Sequence, residues 1–406
     1  MIPNYLRRRL ALFQLYRFLS TSYLFAPVLI KFFVARGLSI TEITLLNTVY
    51  CATAMLFEVP TGVLADRWGR RRAMVLGALM MAAGCLIDFS GHGFVQFALG
   101  EGLLALGMTL SSGADSAYLY DLLRAHGCEP AYPRLEGIAS AAKLLGAAAA
   151  LCFGDWVASH SVPATYLVTA GVCIAAAIAA ALLQEAPYRR PEARPMWHQI
   201  VQSSRLVLSH RPLGAAVLFS ALLFSLIQMK IYFHPAFLTA IGVVHVGWVM
   251  ALLSLGAAAG ARWVEPLRRW VGDSVLLWGL PALLAISYGL VAAGPRLWAI
   301  SLLGVQCFAG GVYSPFSKTL INRTIRDSGQ RATILSIESM ARRLLFGLLA
   351  PLVGLTIDRA ELSAGLMLCA ALAALIALGM GVWHWAASRQ RSEETAVERS
   401  TAVGTG

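Results

Sequence analysis

Ionisable side chains inside long apolar runs are the residues of this chain best placed to do chemistry. Glu101, Asp115, Lys143, Lys230, Glu338, Arg342 and Arg343 lie in such runs, and Arg17, Glu58 and Lys318 sit nearer their ends. A charge at mid-bilayer costs at least ~2.5–3.5 kcal/mol, so each must be paired, wetted or used. A carboxylate there has one clear use. Its pKa rises when the site is dry and falls when it is wet or beside a cation, as a reversible proton carrier requires. Glu101 and Asp115 fall near opposite ends of one run. Asp115 has a candidate partner in Lys143 on the next run, and such a pair can equally be plain bundle stabilisation. Glu101 has no partner in its half of the chain, and Lys230 from the other half is the cation that could approach it. Glu338 and Arg342 are i,i+4 and share a helix face. Glu58 falls at the depth of Arg342 and Arg343 and could bridge to either. His234-Pro235, beside Lys230, interrupts helical hydrogen bonding. Arg17 and Lys318 lie within about two turns of a surface, where long side chains can snorkel. Asp88, Asp155 and Asp358 fall at the ends of runs, where water is expected. No GxxxxGK[ST], HExxH or GxSxG occurs, and no Cys/His cluster has zinc spacing. The expectation is neither an enzyme nor a metal protein. The seven cysteines read as small buried hydrophobes.

The elements that must hold these residues are bilayer-spanning helices. Of 406 residues, 58% are hydrophobic and 13% charged, against roughly 45–50% and about 25% in soluble domains. Apolar runs long enough to cross a bilayer recur along the whole chain. We read twelve spans, at 10–34, 40–63, 73–90, 94–123, 135–158, 162–183, 211–240, 244–264, 274–293, 297–322, 331–357 and 362–387. The fold class is therefore all-α integral membrane. Residues 1–187 form one six-helix half, 188–210 a cytoplasmic linker, 211–387 a second half and 388–406 a mobile cytoplasmic tail. Arg7-Arg8-Arg9 before an apolar run superficially resembles a signal peptide, but the run is too long and we read it as a retained first helix.

The net charge is +12, and only four of the 33 Lys+Arg are Lys. Most of the arginines fall in alternate inter-span segments, which places both termini in the cytoplasm by the positive-inside rule. In that setting a basic balance reports topology and anionic lipid, so nucleic acid is not an expected partner. Two six-span halves suggest a repeat-built transporter. A faint echo agrees: Ser140-Ala141-Ala142-Lys143 in the fifth span and Ser339-Met340-Ala341-Arg342-Arg343 in the eleventh each place a cation about ten residues deep.

The most specific local pattern is Gly62-Val63-Leu64-Ala65-Asp66-Arg67-Trp68-Gly69-Arg70-Arg71-Arg72, between the second and third spans. Positive-inside bias explains Arg70 to Arg72 but not the full GxxxDRxGRR arrangement. This stretch resembles the signature loop, motif A, of the major facilitator superfamily, and the topology resembles that family over the whole chain. Glu58-Val59-Pro60-Thr61-Gly62 and Tyr120-Asp121 resemble a bacterial branch rich in exporters. The resemblance implies two pseudo-symmetric halves, a central cavity lined by spans 1, 4, 7 and 10, and rocker-like alternating access. It also implies a conformational latch in which Asp66 and Arg70 pair with Asp121, within a loop shaped by Gly62, Arg67 and Gly69. One departure stands out. Proton-driven exporters of the family often carry GxxxGPxxGG in the fifth span, whereas here Gly146 to Gly154 contains no proline. A closer match is Gly347 to Gly354 in the eleventh span, with Pro351. The counterpart of motif A in the second half, Gly260 to Gly272, is degenerate, with Glu265, Arg268 and Arg269.

The expected function is secondary transport of a small molecule across a bacterial inner membrane, as proton-coupled efflux of a drug or metabolite by a monomer. Protons and membrane lipid are the other partners, with a proton gradient in place of a cofactor. Uptake of a small anionic nutrient is the second reading. A non-transporting sensor or assembly partner with a transporter fold is the third, and an intact motif A argues against it.

Overall fold

The computed structural model describes residues 4–185, 207, 209–294, 297–324 and 331–403. Most of the expected linker lies outside them. The α-helices are α1 Asn4–Leu19, α2 Leu29–Ala35, α3 Ile40–Trp68, α4 Arg70–Ser90, α5 Phe94–Ser111, α6 Ala114–Ala125, α7 Tyr132–His160, α8 Ala164–Ala181, α9 Arg211–Gln228, α10 Lys230–Ala240, α11 Val246–Ala292, α12 Ala299–Thr324 and α13 Arg331–Val403. Among the described residues, nine stretches are long and apolar enough to cross a membrane. Two of these are broken, α11 at Gly272 and α13 at Ala360–Glu361, and each supplies two crossings. With the broken pair α1 and α2 the arrangement matches twelve crossings.

Several spans expected as single helices are interrupted, each for a local reason. The first breaks after Leu19 because hydroxyls compete for the backbone. Ser22 Oγ donates to the Phe18 carbonyl at 2.8 Å, and Thr21 Oγ1 turns to the Lys143 carbonyl of α7 at 2.9 Å. The fourth breaks into α5 and α6 at Gly113, whose φ of +82° favours glycine. The seventh is divided only by a single turn residue, Met229, whose backbone stays in the α region. The last helix does not stop near residue 387 but continues to Val403, in line with the helix-favouring Glu, Arg and Ala content of that stretch.

The helices pack on small residues, as lipid-solvated bundles do. At Gly77 and Gly107 of α4 and α5, a methyl on either residue would strike the other's carbonyl oxygen. Between the halves, α3 lies along α13 and α7 along α11. We call the side bearing Arg67 to Arg72 the arginine-rich face and the opposite side the distal face.

Candidate functional site

A cavity of about 490 Å³ lies between the halves. Its wall is aromatic on both sides, with Phe25, Phe33 and Tyr50 facing Phe224, Tyr232 and Phe346. Besides Cys51 and the hydroxyls of Tyr23, Tyr50 and Tyr232, the polar groups in the wall are Asn47, Gln228, Ser339, Glu101, Arg342 and Arg343. Among the described residues Glu101 is its single carboxylate, and no ion pair joins it to any of them. Such a wall can stack a flat ring and orient it by a few hydrogen bonds, the usual chemistry of a small-molecule pocket.

The two arginines are held differently. Arg342 Nε lies 3.1 Å from Glu338 Oε1, one turn back on α13. Glu338 is 2% exposed and also accepts from Ser220 Oγ of α9 at 2.5 Å. The Ser220 hydroxyl meets the Tyr313 hydroxyl of α12 at 2.8 Å. The Arg342 guanidinium rests over the Phe224 ring, 5.0 Å from its centroid, a cation–π contact. Arg342 is thus anchored within its own half. Arg343 Nη2 instead reaches Glu58 Oε2 at 3.7 Å across the halves, too long for a hydrogen bond.

The remaining candidates fall elsewhere. Asp115 pairs with Lys143 at 3.1 Å and also with Arg17. Arg17 does not snorkel. It is 3% exposed and makes a second pair at 2.7 Å with Glu136 of α7, a residue that sequence reading did not single out. Burial of one guanidinium is offset here by two carboxylates. Lys318 is exposed and away from the cavity wall. Lys230 and His234 are not in that wall either. His234 of α10 faces α12, where it meets Gln306 Oε1 at 2.9 Å. Gln306 in turn donates to Ser287 of α11 at 3.0 Å. Lys230 therefore does not approach Glu101 through the cavity.

On the arginine-rich face, Arg70 bridges two acids. Its Nη1 is 3.1 Å from Asp66 Oδ1, and its Nε donates to Asp121 Oδ2 at 2.8 Å. Gly69, at φ +106°, makes the turn that brings α4 back against α6. The second half holds the same figure with the charges exchanged. Gly272, at φ +81°, precedes Asp273, which accepts from Arg268 at 2.7 Å and from Arg323 of α12 at 2.5 Å. Asp273 sits in the break between two spans, and the Arg268 hydrogen bond holds its carboxyl below the usual range. Of these residues the sequence pattern singles out Arg268, with Glu265 and Arg269 beside it, and not Asp273 or Arg323. The signal for the rest was the Gly272-Asp273 step, which parallels Gly69-Arg70.

On the distal face, water does not surround all three terminal aspartates. Asp358 is exposed, but it accepts from the Ile40 N–H at 2.9 Å, the Thr41 N–H at 2.7 Å and the Thr41 hydroxyl at 2.6 Å. Those are the first two amides of α3. The third, Glu42, bonds Ser39 Oγ in a local capping box. Asp155 is 8% exposed, accepts from the Gly247 N–H at 3.1 Å and meets His245 Nδ1 at 3.1 Å. So α7 caps α11, and α13 caps α3, each across the halves. Asp88 is fully buried. Among the described residues, the remaining hydrogen bond between the halves runs from Thr48 Oγ1 to the Gly347 carbonyl at 2.6 Å.

Solved structures share this architecture. The nucleoside transporter NupG superposes with a TM-score of 0.78 over 93% of this chain and 98% of its own, at 13% identity. A bacterial homologue of the human lysosomal transporter Spinster, inward-facing and unoccupied, gives 0.68 over 94% and 93%, at 17% identity. A D-xylose–proton symporter gives 0.66 over 92% and 95%, at 15% identity. These likenesses describe the fold. Among curated proteins, an uncharacterized transporter of Buchnera aphidicola subsp. Schizaphis graminum (strain Sg) is 33% identical over 76 residues, spanning 19% of this chain and 19% of that relative. The sequence model of the Major Facilitator Superfamily matches residues 10–309. With its two packed halves, central cavity and Asp66–Arg70–Asp121 loop, the chain is a multi-pass membrane transporter belonging to the Major Facilitator Superfamily.

Proposed function

We propose that this transporter moves a small amphipathic molecule across a bacterial inner membrane by alternating access, driven by protons that Glu101 carries. The arginine-rich face is the cytoplasmic one in this reading, by the positive-inside rule. The observation that carries it is Glu101 itself, the one carboxylate in the cavity wall, with no described cation paired to it. A carboxylate so placed is free to change protonation as the cavity changes between dry and wet. The aromatic wall supports a substrate with a flat apolar part, and Asn47 and Gln228 support hydrogen bonds to its polar part. Asp155 and Asp358 hold the distal face shut, while Glu58–Arg343 and the motif A loop are the contacts that change as the halves rock. Export is the first direction, on the resemblance of the Glu58–Arg72 and Asp115–Asp121 segments to exporters.

A specific observation supports a second direction, uptake of a small anion. Arg342 and Arg343 share the wall with Glu101, and α7 lacks the proline of the antiporter pattern. Sealed vesicles of both orientations separate the readings. Flux of a panel of metabolites and drugs is followed with an imposed proton gradient, in wild type and in Glu101→Gln. Gradient-driven flux that the substitution abolishes is the expected result. Flux indifferent to the gradient refutes proton coupling, and no flux for any compound favours a sensor with a transporter fold.

A further inference from the structure

Asp88 lies in the last turn of α4 and is completely buried, and neither of its carboxyl oxygens has a hydrogen-bond partner among the described residues. Its carboxyl lies directly against the α5 backbone at Gly100, the residue before Glu101, where a methyl would collide with it. Cys85, one turn back on the same helix, and Tyr166 of α8 are polar groups close to the two acids. Cys173, also on α8, touches Cys85. The Tyr166 hydroxyl is buried without a partner too. Its ring stacks on Phe25 of the cavity wall, with centroids 4.6 Å apart.

Arg36, a cation at the same end of α4, is spent elsewhere. Arg36 points one guanidinium nitrogen at the Gly91 carbonyl and the other at the Phe89 carbonyl, at 3.0 Å. It thus binds the backbone on either side of Ser90 and leaves the Asp88 carboxyl alone. An ionised carboxylate would draw that guanidinium to itself, because an unpaired buried charge is far more expensive than an unpaired neutral group.

We propose that Asp88 is a second proton-binding site, coupled to Glu101 and placed between the cavity and the distal face. This rests on Glu101 being the coupling carboxylate. With the distal face closed, Asp88 holds a proton. In the transfer step the Asp88 acid gives that proton to the Glu101 carboxylate, leaving Asp88 ionised and Glu101 neutral. Asp88 takes a proton back from water when the distal face opens and Arg36 is freed to meet it. Two adjacent acids with no cation between them cannot both be ionised cheaply, so the pair always carries at least one proton.

The test begins on the wild-type protein in lipid. Infrared spectra with and without ¹³C-aspartate separate a protonated aspartic acid from every glutamic acid. At neutral pH a protonated aspartate band is expected, because the other aspartates described above are paired, capping or exposed. Its absence overturns the proposal, whatever a variant does. In Asp88→Asn that band should vanish. Proton-driven flux should fall by at least an order of magnitude, and substrate exchange without net proton movement should fall far less. Equal losses in both fluxes, or retention of the band, overturn it as well. Glu101→Gln separates the two claims. If it leaves proton-driven flux intact, the reading of Glu101 fails. If it abolishes that flux while Asp88→Asn leaves the protons moved per substrate unchanged, Asp88 alone fails.

Discussion

Replacing Asp358 with alanine should unlatch the distal face without harming either half. Its carboxylate takes the first two amides of α3 and the Thr41 hydroxyl, at 2.9, 2.7 and 2.6 Å. Donors and acceptor belong to opposite halves, so these bonds exist only while the face is shut. Loss of a helix cap costs ~0.5–2 kcal/mol. Asp358 is exposed, so water replaces part of what is lost, and we take about 1.4 kcal/mol, a tenfold change in an equilibrium. The open fraction should rise about tenfold. Cys51 reports it, since it lines the cavity and is 7% exposed. A membrane-impermeant maleimide applied from the distal side reaches it when the face opens, and mass spectrometry of its peptide gives the rate. Asp155→Ala, which frees the Gly247 amide and His245, should give a similar rise. The double variant should approach a hundredfold, because distant sites acting on one equilibrium add. Glu42→Ala is the control, as its capping box lies within one half and should not move the rate. The sign with pH follows. Burial raises the Asp358 carboxyl pKa, but hydrogen bonds from Thr41 and Ile40 outweigh it and hold it below the ordinary range. The cap is therefore complete above the ordinary aspartate value and is lost as pH falls through the depressed one. The ratio of the Asp358→Ala rate to the wild-type rate, which cancels the thiol's own ionisation, should stay flat from neutral to mildly acid pH. A double variant that folds, transports and labels at the wild-type rate would refute the latch, as would a matching rise with Glu42→Ala.

Other consequences are narrower. Arg17→Met takes the guanidinium from Glu136 and leaves Asp115 with Lys143 alone, so stability should fall by ~1–3 kcal/mol. A thermal melt in detergent reads this. Gly311→Ala would drive a methyl into the Ala257 carbonyl of α11, costing ~1–3 kcal/mol by overpacking. Gly279→Ala, whose nearest neighbour would be 3.8 Å away, should stay within ~0.5 kcal/mol of wild type in the same melt. Asp66→Asn removes one of two acids from Arg70, so turnover in vesicles should drop several-fold at unchanged melting temperature. Exchanging Glu58 and Arg343 should recover flux that either single reversal loses, and no recovery would assign Arg343 to its own half.

How much of this was legible depends on what each feature answers to. The spans were legible because bilayer thickness dictates their length, and the motif A loop because a tight turn and the Asp66–Arg70 pair sit close in sequence. Burial was not, because depth counted along one helix says nothing about what packs against it. Asp88 and Asp155 sit near helix ends, as counting implied, yet neighbouring helices cover both. Arg17 is near a surface by the same count, but its face meets α6 and α7, where Glu136 waits. Lys230 and His234 belong to a span that was expected to line the cavity. His234 instead meets Gln306 of α12, because which side of a helix faces the cavity is set by its neighbours and not by depth along it.

The second-half loop shows why pattern matching stopped short. Glu265, Arg268 and Arg269 resemble a decayed motif A only while the same charges are sought in the same places. What the two halves share is a glycine with positive φ, a charge on the next residue and opposite charges on both sides of it. Arg70 stands between two acids, and Asp273 between two arginines. Coulomb attraction is unchanged when every sign is reversed, so the pseudo-twofold constrains the figure and leaves its polarity free. The distal face obeys a stricter rule. A helix N-terminus presents N–H groups whichever half it belongs to, so its partner must accept hydrogen bonds and gains from being an anion. Both halves accordingly use aspartate there, Asp155 and Asp358, with no exchange of sign.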